Sequence, residues 1–237
     1  MEKKIKVVMF DLDGTLLPMD QDLFVKTYFG LLSKKMSNYG YEPKSFIENV
    51  WKGTYMMIKN DGKETNESVF WKCLLSVYGE NCLKDLPLFD EFYEKEFLSV
   101  RDVCGFSEKS AEIVRYLKSQ GFRVVLATNP VFPAVATENR CRWAGLEPDE
   151  FEIVTTYENS SYCKPNPLYF SEIISKLGVA PEECLMVGND FSEDGAAAKI
   201  GASVFILTNN LINKNNEDIS VFPNGDFNDL RSYIDQL

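Results

Sequence analysis

The chain contains no histidine. That absence excludes Ser-His-Asp and Cys-His catalysis, His-ligated zinc and imidazole acid–base chemistry. Any catalysis has to run on carboxylates, lysine, hydroxyls, thiols or backbone groups. Positive charge is also scarce: 25 Lys and Arg against 36 Asp and Glu leave a formal net charge of −11. Nucleic acids and anionic membranes both call for a broad basic surface, so neither is an expected partner. An anionic substrate needs a local site, a metal ion or one or two cations, working against the overall field. The six cysteines (Cys73, Cys82, Cys104, Cys141, Cys163, Cys184) are scattered and form no C-x-x-C pair. They read as thiols of a reduced protein, not a zinc site or a disulfide framework. Long apolar runs are missing too, none approaching the roughly 20 residues of a membrane span. Met1-Glu2-Lys3-Lys4 leads into a short strand-like stretch and not into a signal-peptide core, so a cytoplasmic location is expected.

What is present is enough apolar material for a packed core. With 237 residues, 45% of them hydrophobic, the chain can form one core domain carrying a smaller one. Residues 5–10 are continuously apolar except for Lys6, the pattern of a strand buried on both faces of a parallel sheet. From about Ser107 onward, an amphipathic segment, a glycine and a short β-rich run recur. Helices are predicted over 107–120, 133–144, 167–177 and 194–200, ending at Gly121, Gly145, Gly178 and Gly201. The strands that follow are 122–127, 151–155, 184–187 and 202–207. Such alternation specifies right-handed βαβ units, hence an α/β fold with a Rossmann-like parallel sheet. Between residues 18 and 102 the texture changes to helical spacing over 20–38, 43–60, 65–79 and 87–99, rich in aromatics and without a convincing strand. Asn60-Asp61-Gly62-Lys63 reads as a turn between two of these helices. The expected organisation is therefore an α/β core of residues 1–17 and 103–237, interrupted by an α-helical insertion over 18–102. The polar tail beyond Leu207 has no clear assignment.

Ligands of open α/β sheets bind beyond the carboxyl ends of the strands. Directly after the first strand come Asp11-Leu12-Asp13-Gly14-Thr15, and after the second come Thr128-Asn129. Lys164 lies a short loop beyond the third, and Gly188-Asn189-Asp190 with Asp194 follows the fourth. Carboxylates, a lysine and a hydroxyl thus converge on one sheet edge. That set suits a hard divalent cation together with a phosphate, and oxygen ligands with room for water favour Mg²⁺.

These residues carry a family resemblance. Val7-Val8-Met9-Phe10-Asp11-Leu12-Asp13-Gly14-Thr15-Leu16 resembles the first motif of the haloacid dehalogenase superfamily, an apolar strand running into D-x-D-G-T. Thr128-Asn129, Lys164-Pro165-Asn166-Pro167 and Gly188-Asn189-Asp190 through Asp194 are similar to its second, third and fourth motifs, in the family's order. The resemblance implies a hydrolase of the phosphatase-like branch with a helical cap over the site. It implies that Asp11 attacks phosphorus to form an aspartyl-phosphate, and that Asp13 is the general acid and base. Thr128, Asn129 and Lys164 would hold the phosphoryl group. Asp11, the Asp13 carbonyl and a carboxylate of the fourth motif would hold Mg²⁺. There the sequence departs from the family's pattern, because Asn189 follows the glycine where many members have aspartate. Asp190 is expected as the stronger ligand, with Asn189 the geometric alternative, and Asp194 either a ligand, a support or a helix cap.

Asp13 disfavours carbon–halogen cleavage, since dehalogenating members lack an acid–base aspartate two residues after the nucleophile. Phosphonate-cleaving members use a cap lysine; Lys26, Lys34, Lys35, Lys44, Lys52, Lys59 and Lys63 are available, and none stands out. The expected substrate is a small phosphorylated metabolite, hydrolysed by a monomer or weak homodimer. A phosphosugar mutase on the same core and a non-catalytic phospholigand-binding protein are the alternatives. Lys52, Thr54 and Asn60 are candidate cap contacts.

Overall fold

The computed structural model describes residues 5–236; residues 1–4 and Leu237, which the sequence assigns to the α/β part, lie outside them. The core is built on β1 (Val7–Phe10), β2 (Arg123–Leu126), β3 (Cys184–Gly188), β4 (Ser203–Leu207) and the two-residue β5 (Asn224–Gly225). All pairings are parallel, in the order β2-β1-β3-β4-β5. Val7, Val8, Met9 and Phe10 are all fully buried. Their alternating side chains explain the unbroken apolar run: Val8 and Phe10 join one core cluster, Val7 and Met9 the other.

Each sheet face is covered by helices. On one side pack α5 (Glu108–Ser119), through Ile113, Val114 and Leu117, and α9 (Phe227–Ile234), through Leu230 and Ile234. On the other packs α7 (Pro167–Leu177), through Tyr169, Phe170, Ile173 and Ile174. Between β2 and α7 comes α6 (Ala134–Trp143). The expected helix at 194–200 is instead one α-turn, α8 (Phe191–Asp194), followed by a tighter 3₁₀ stretch at Gly195–Ile200. Ala196 and Ala197, 1% and 0% exposed, have no bulk to keep this segment away from the sheet. Helix α5 begins where predicted, but Ser107 makes no capping hydrogen bond.

The predicted strand at 151–155 is reduced to a single bridge, Leu126 to Val154. Three backbone bonds align it with β2: Glu152 N–H to the Val124 carbonyl, Leu126 N–H to Ile153 and Thr155 N–H to Leu126. Beyond it the Thr155 hydroxyl donates to the Thr128 carbonyl at 2.7 Å. The unassigned tail supplies β5 and α9.

Between β1 and α5 the chain is helical: α1 (Gln21–Ser37), α2 (Pro43–Ile58), α3 (Asn66–Tyr78) and α4 (Leu86–Glu94). The predicted helix at 87–99 divides in two. Lys95 leaves α geometry at φ −120° and ψ −78°, and a 3₁₀ stretch at Glu96–Val103 buries Phe97 and Val100. The excursion departs and returns side by side: Met19 bridges Cys104, and Gly105 N–H donates to the Pro18 carbonyl at 2.7 Å. It docks on the core through the fully buried Asn66, whose amide donates to the Pro130 carbonyl at 3.2 Å. Asn60, 8% exposed, is consumed by the turn before α3, donating to the Glu64 carbonyl and to Asn66.

Helices α2 and α3 meet where Gly53 faces Phe70, and a β-carbon on Gly53 would sit 2.7 Å from the Phe70 ring. Replacing Gly53 by leucine forces the pair apart and should cost about 1–3 kcal/mol. Urea denaturation measures this; an unchanged midpoint and slope would contradict the close packing.

Candidate active site

Asp11 is fixed first by the sheet. Its N–H donates to the Val187 carbonyl at 2.9 Å, so the nucleophile candidate emerges between β1 and β3 at their carboxyl ends. Its carboxylate is only 8% exposed at the residue level and accepts two hydrogen bonds, from Lys164 Nζ to Oδ1 at 2.9 Å and from Thr15 Oγ1 to Oδ2 at 3.1 Å.

Lys164 is almost entirely buried and also donates to Asp194 Oδ1 at 2.7 Å. Burial opposes its charge, but Asp11 and Asp194 hold the ammonium protonated well above the usual lysine range. Burial pushes the Asp194 carboxyl up, against the pull of Lys164. The other Asp194 oxygen accepts from the Asp190 N–H at 3.0 Å. Gly188 is needed for this approach: a β-carbon there would lie 1.9 Å from Asp194 Oδ2.

Asp13 leaves the opposite side of the loop. Its Oδ2 pairs with the guanidinium of Arg140, which is fully buried on α6. Arg140 also packs over Phe132, 4.4 Å from the ring centroid, and bonds the Ala136 carbonyl and the Thr137 hydroxyl. Burial raises the Asp13 carboxyl above the ordinary aspartate range even though Arg140 pulls it down. A carboxyl so placed is suited to carrying a proton.

Sequence reasoning did not find Arg140, yet the signal was present. Ala136, Arg140 and Trp143 fall at i, i+4 and i+7 on the buried face of α6, a charge in an apolar stripe.

The loop after β2 is held by its backbone. The Thr128 carbonyl accepts from the Thr155 hydroxyl at 2.7 Å and from the Tyr169 hydroxyl at 2.8 Å. The Asn129 side-chain amide donates to Glu193 at 3.1 Å, while its Oδ1 is buried without a partner. Burial raises the Glu193 carboxyl to about 8.

The fourth-motif residues separate. Asn189 is buried and faces the first loop, its Oδ1 accepting from Thr15 Oγ1 at 2.9 Å. Gly14, at φ +83°, admits it: a β-carbon there would lie 2.4 Å from the Asn189 amide nitrogen. Asp190, expected as the stronger metal ligand, caps α8 with its Oδ1, which accepts from the Ser192 and Glu193 N–H groups at 2.9 Å. The N-terminal peptide groups of that helix compete for the carboxylate.

Among the described residues, no group of three or more His, Cys, Asp or Glu side chains is arranged to hold a metal. The donor chemistry nevertheless fits a hard cation held by few protein ligands. Asp11 Oδ2 and Asn189 Oδ1 converge on Thr15 Oγ1, and a hydroxyl has only one hydrogen for the two acceptors. Asp13 Oδ1 is buried without any hydrogen-bond partner. Mg²⁺ is ordinarily bound through one or two carboxylates, substrate phosphate and retained water. Asp11 and Asn189 supply oxygens suited to such a partial set.

A family model for haloacid dehalogenase-like hydrolases matches residues 5–201. A phosphoglycolate phosphatase from Nitrosospira multiformis is 26% identical over 210 residues, covering 86% of this chain and 83% of that protein. The pyrophosphatase PpaX of Bacillus cereus is 26% identical over 188 residues, covering 79% and 76%. Among solved structures, a 2-haloacid dehalogenase from Pseudomonas syringae superposes with a TM-score of 0.65 at 21% identity, covering 98% of this chain and 99% of that one. At that identity the likeness concerns the fold alone. No helix among the described residues is long and apolar enough to cross a membrane.

Replacing Lys164 by methionine strands two buried carboxylates without their shared cation. Asp194, already raised by burial, should rise further. A raised carboxyl favours the folded state below the ordinary value near 4, and that support is lost as pH climbs through the folded value. The variant's deficit should therefore grow with pH, reaching about 3–5 kcal/mol at pH 8. Urea denaturation at pH 5 and pH 8 reads it; equal deficits at both would contradict the ion-pair account.

Proposed function

This chain belongs to the haloacid dehalogenase-like hydrolases, and from that premise we propose that it hydrolyses small phosphate monoesters, with Mg²⁺ bound and Asp11 as nucleophile. The observation that carries this reading is the pairing of two unlike carboxyls on one loop: Asp11 held by Lys164 and Thr15, Asp13 held by Arg140. Two such unlike environments support one carboxyl as nucleophile and the other as proton carrier.

In the first step an Asp11 oxygen bonds to phosphorus while the bond from phosphorus to the ester oxygen breaks. Asp13 gives its proton to that departing oxygen. In the second step Asp13 takes a proton from water, whose oxygen attacks phosphorus and releases phosphate and free Asp11. Lys164 neutralises the transferring oxygens, and Thr128 and Asn129 orient them. Asp194 positions Lys164 through the 2.7 Å ion pair. Asp11, Asn189 and the Asp13 carbonyl are the residues that would hold Mg²⁺, with Asp190 supporting the loop as a helix cap. When bound, the cation screens the repulsion between the aspartate and an anionic phosphate. Residues 18–102 act as the cap that excludes water.

The printed activities of the relatives, phosphoglycolate phosphatase and pyrophosphatase, support phosphate chemistry. The dehalogenase neighbour shares the fold, and Asp13 favours phosphoryl transfer over carbon–halogen cleavage here. A cytoplasmic setting belongs to the same reading, because all six cysteines are free.

Phosphate release from p-nitrophenyl phosphate should require Mg²⁺ and stop on chelation. Asp11→Asn should abolish turnover, and Asp13→Asn should lower kcat by about 10²–10⁴-fold. Metal-independent turnover, or activity surviving in Asp11→Asn, would count against the proposal.

A further inference from the structure

Between the helical excursion and the loop that follows β2 lies a cavity of about 160 Å³. Phe29, Trp51 and Phe70 contribute walls from the helices, and Phe132 and Tyr157 from the core. No charged side chain is among its described lining residues. The Tyr28 and Tyr93 hydroxyls bond each other at 2.9 Å, and the Thr54 hydroxyl donates to the Val50 carbonyl at 3.0 Å. Apolar cavities of about 150 Å³ stay dry and accept a benzene-sized guest.

The cavity's position gives it a direction relative to the reacting atoms. Phe132, part of its wall, packs against Arg140, and Arg140 holds Asp13. Val131, also in the wall, donates its N–H to the Asn129 carbonyl at 2.9 Å. Through Phe132 and Arg140 the cavity thus borders the Asp13 side of the site, the side to which the ester oxygen departs in the proposed reaction.

We propose that this cavity receives the leaving group, and that the substrates are phosphate monoesters of aromatic or compact apolar alcohols; the inference rests on the phosphatase reading above. The reaction is unchanged in its balance: ester and water become the apolar alcohol and inorganic phosphate, with Asp13 supplying and then recovering the proton. A carboxylate on the leaving group would enter a cavity that offers it no counter-ion, a desolvation cost that a ring avoids. Phosphoglycolate-like esters are thus disfavoured, in contrast to the activity named for the relatives.

Benzyl phosphate, ethyl phosphate and 2-phosphoglycolate share an alkoxide leaving group and differ in the ring and the carboxylate. Benzyl phosphate should be preferred in kcat/KM over both by about 10- to 100-fold. Thr54→Phe, which fills the cavity, and Trp51→Ala, at a wall residue that is 47% exposed, should each lower the benzyl-to-ethyl ratio, chiefly through KM. Testing both keeps the experiment decisive if one fails to fold. Three esters turned over at similar rates, a preference for 2-phosphoglycolate, or a ratio unmoved in the folded variants would overturn the substrate assignment alone. The absence of Asp11-dependent turnover on every ester would instead overturn the phosphatase reading, and this inference with it.

Discussion

Lys164 carries its ammonium into the interior because two carboxylates meet it there, Asp11 at 2.9 Å and Asp194 at 2.7 Å. An unpaired lysine at that depth would lose its proton or force the fold open. The triad therefore ties three separate parts of the chain to one point: the end of β1, the loop before α7 and the turn after β3. Each part is adapted to it. β1 delivers Asp11 through a backbone bond to Val187. Gly188 omits the side chain that would occupy the place of Asp194. Tyr169 and Thr155 pin the neighbouring Thr128 carbonyl. The sheet supplies position, and the ion pairs select which side chains occupy it.

A second cation serves the other carboxyl. Arg140 reaches Asp13 from α6 and lies against Phe132, so the acid–base candidate is anchored to the aromatic wall rather than to the Lys164 cluster. The separation has a chemical consequence. Under the proposed reading the polar cluster around Lys164 takes the phosphoryl group, and the apolar cavity walled by Phe132 takes the alcohol. Such a division would discriminate among esters by the alcohol they release, using the desolvation of polar leaving groups as much as attraction for apolar ones.

Much of this was legible in the sequence, for identifiable reasons. β1 announces itself because both of its faces are buried, and the residues directly after a parallel strand have nowhere to go but the ligand edge. Asp11, Lys164, Asn189 and Asp194 meet there through shared hydrogen bonds, with Asp13 close enough to feel the charges of Asp11 and Lys164. Asp190 caps the turn before Phe191 through its Oδ1, a role its carboxylate charge alone did not suggest. The Asp190–Glu193 spacing is itself an N-cap signature that competed with the metal reading. Arg140 was obscured by the surface-helix look of α6, where arginine usually means solvent. The segment 151–155 has a strand's composition but is held to β2 by one bridge and three backbone bonds, a reduction that no local pattern records.

The central claim is that Asp11 becomes covalently phosphorylated. It is tested most directly by acid-quenching the Asp13→Asn protein during exposure to Mg²⁺ and p-nitrophenyl phosphate, then mapping the peptides by mass spectrometry. In that variant loss of the general base slows hydrolysis of the intermediate, while the good leaving group of this ester needs little acid assistance. The account predicts a labile phosphoryl group on the peptide containing Asp11, absent when Asp11 is also replaced by asparagine. Turnover by the native protein with no phosphopeptide under these conditions, or a phosphoryl group on another residue, would contradict it.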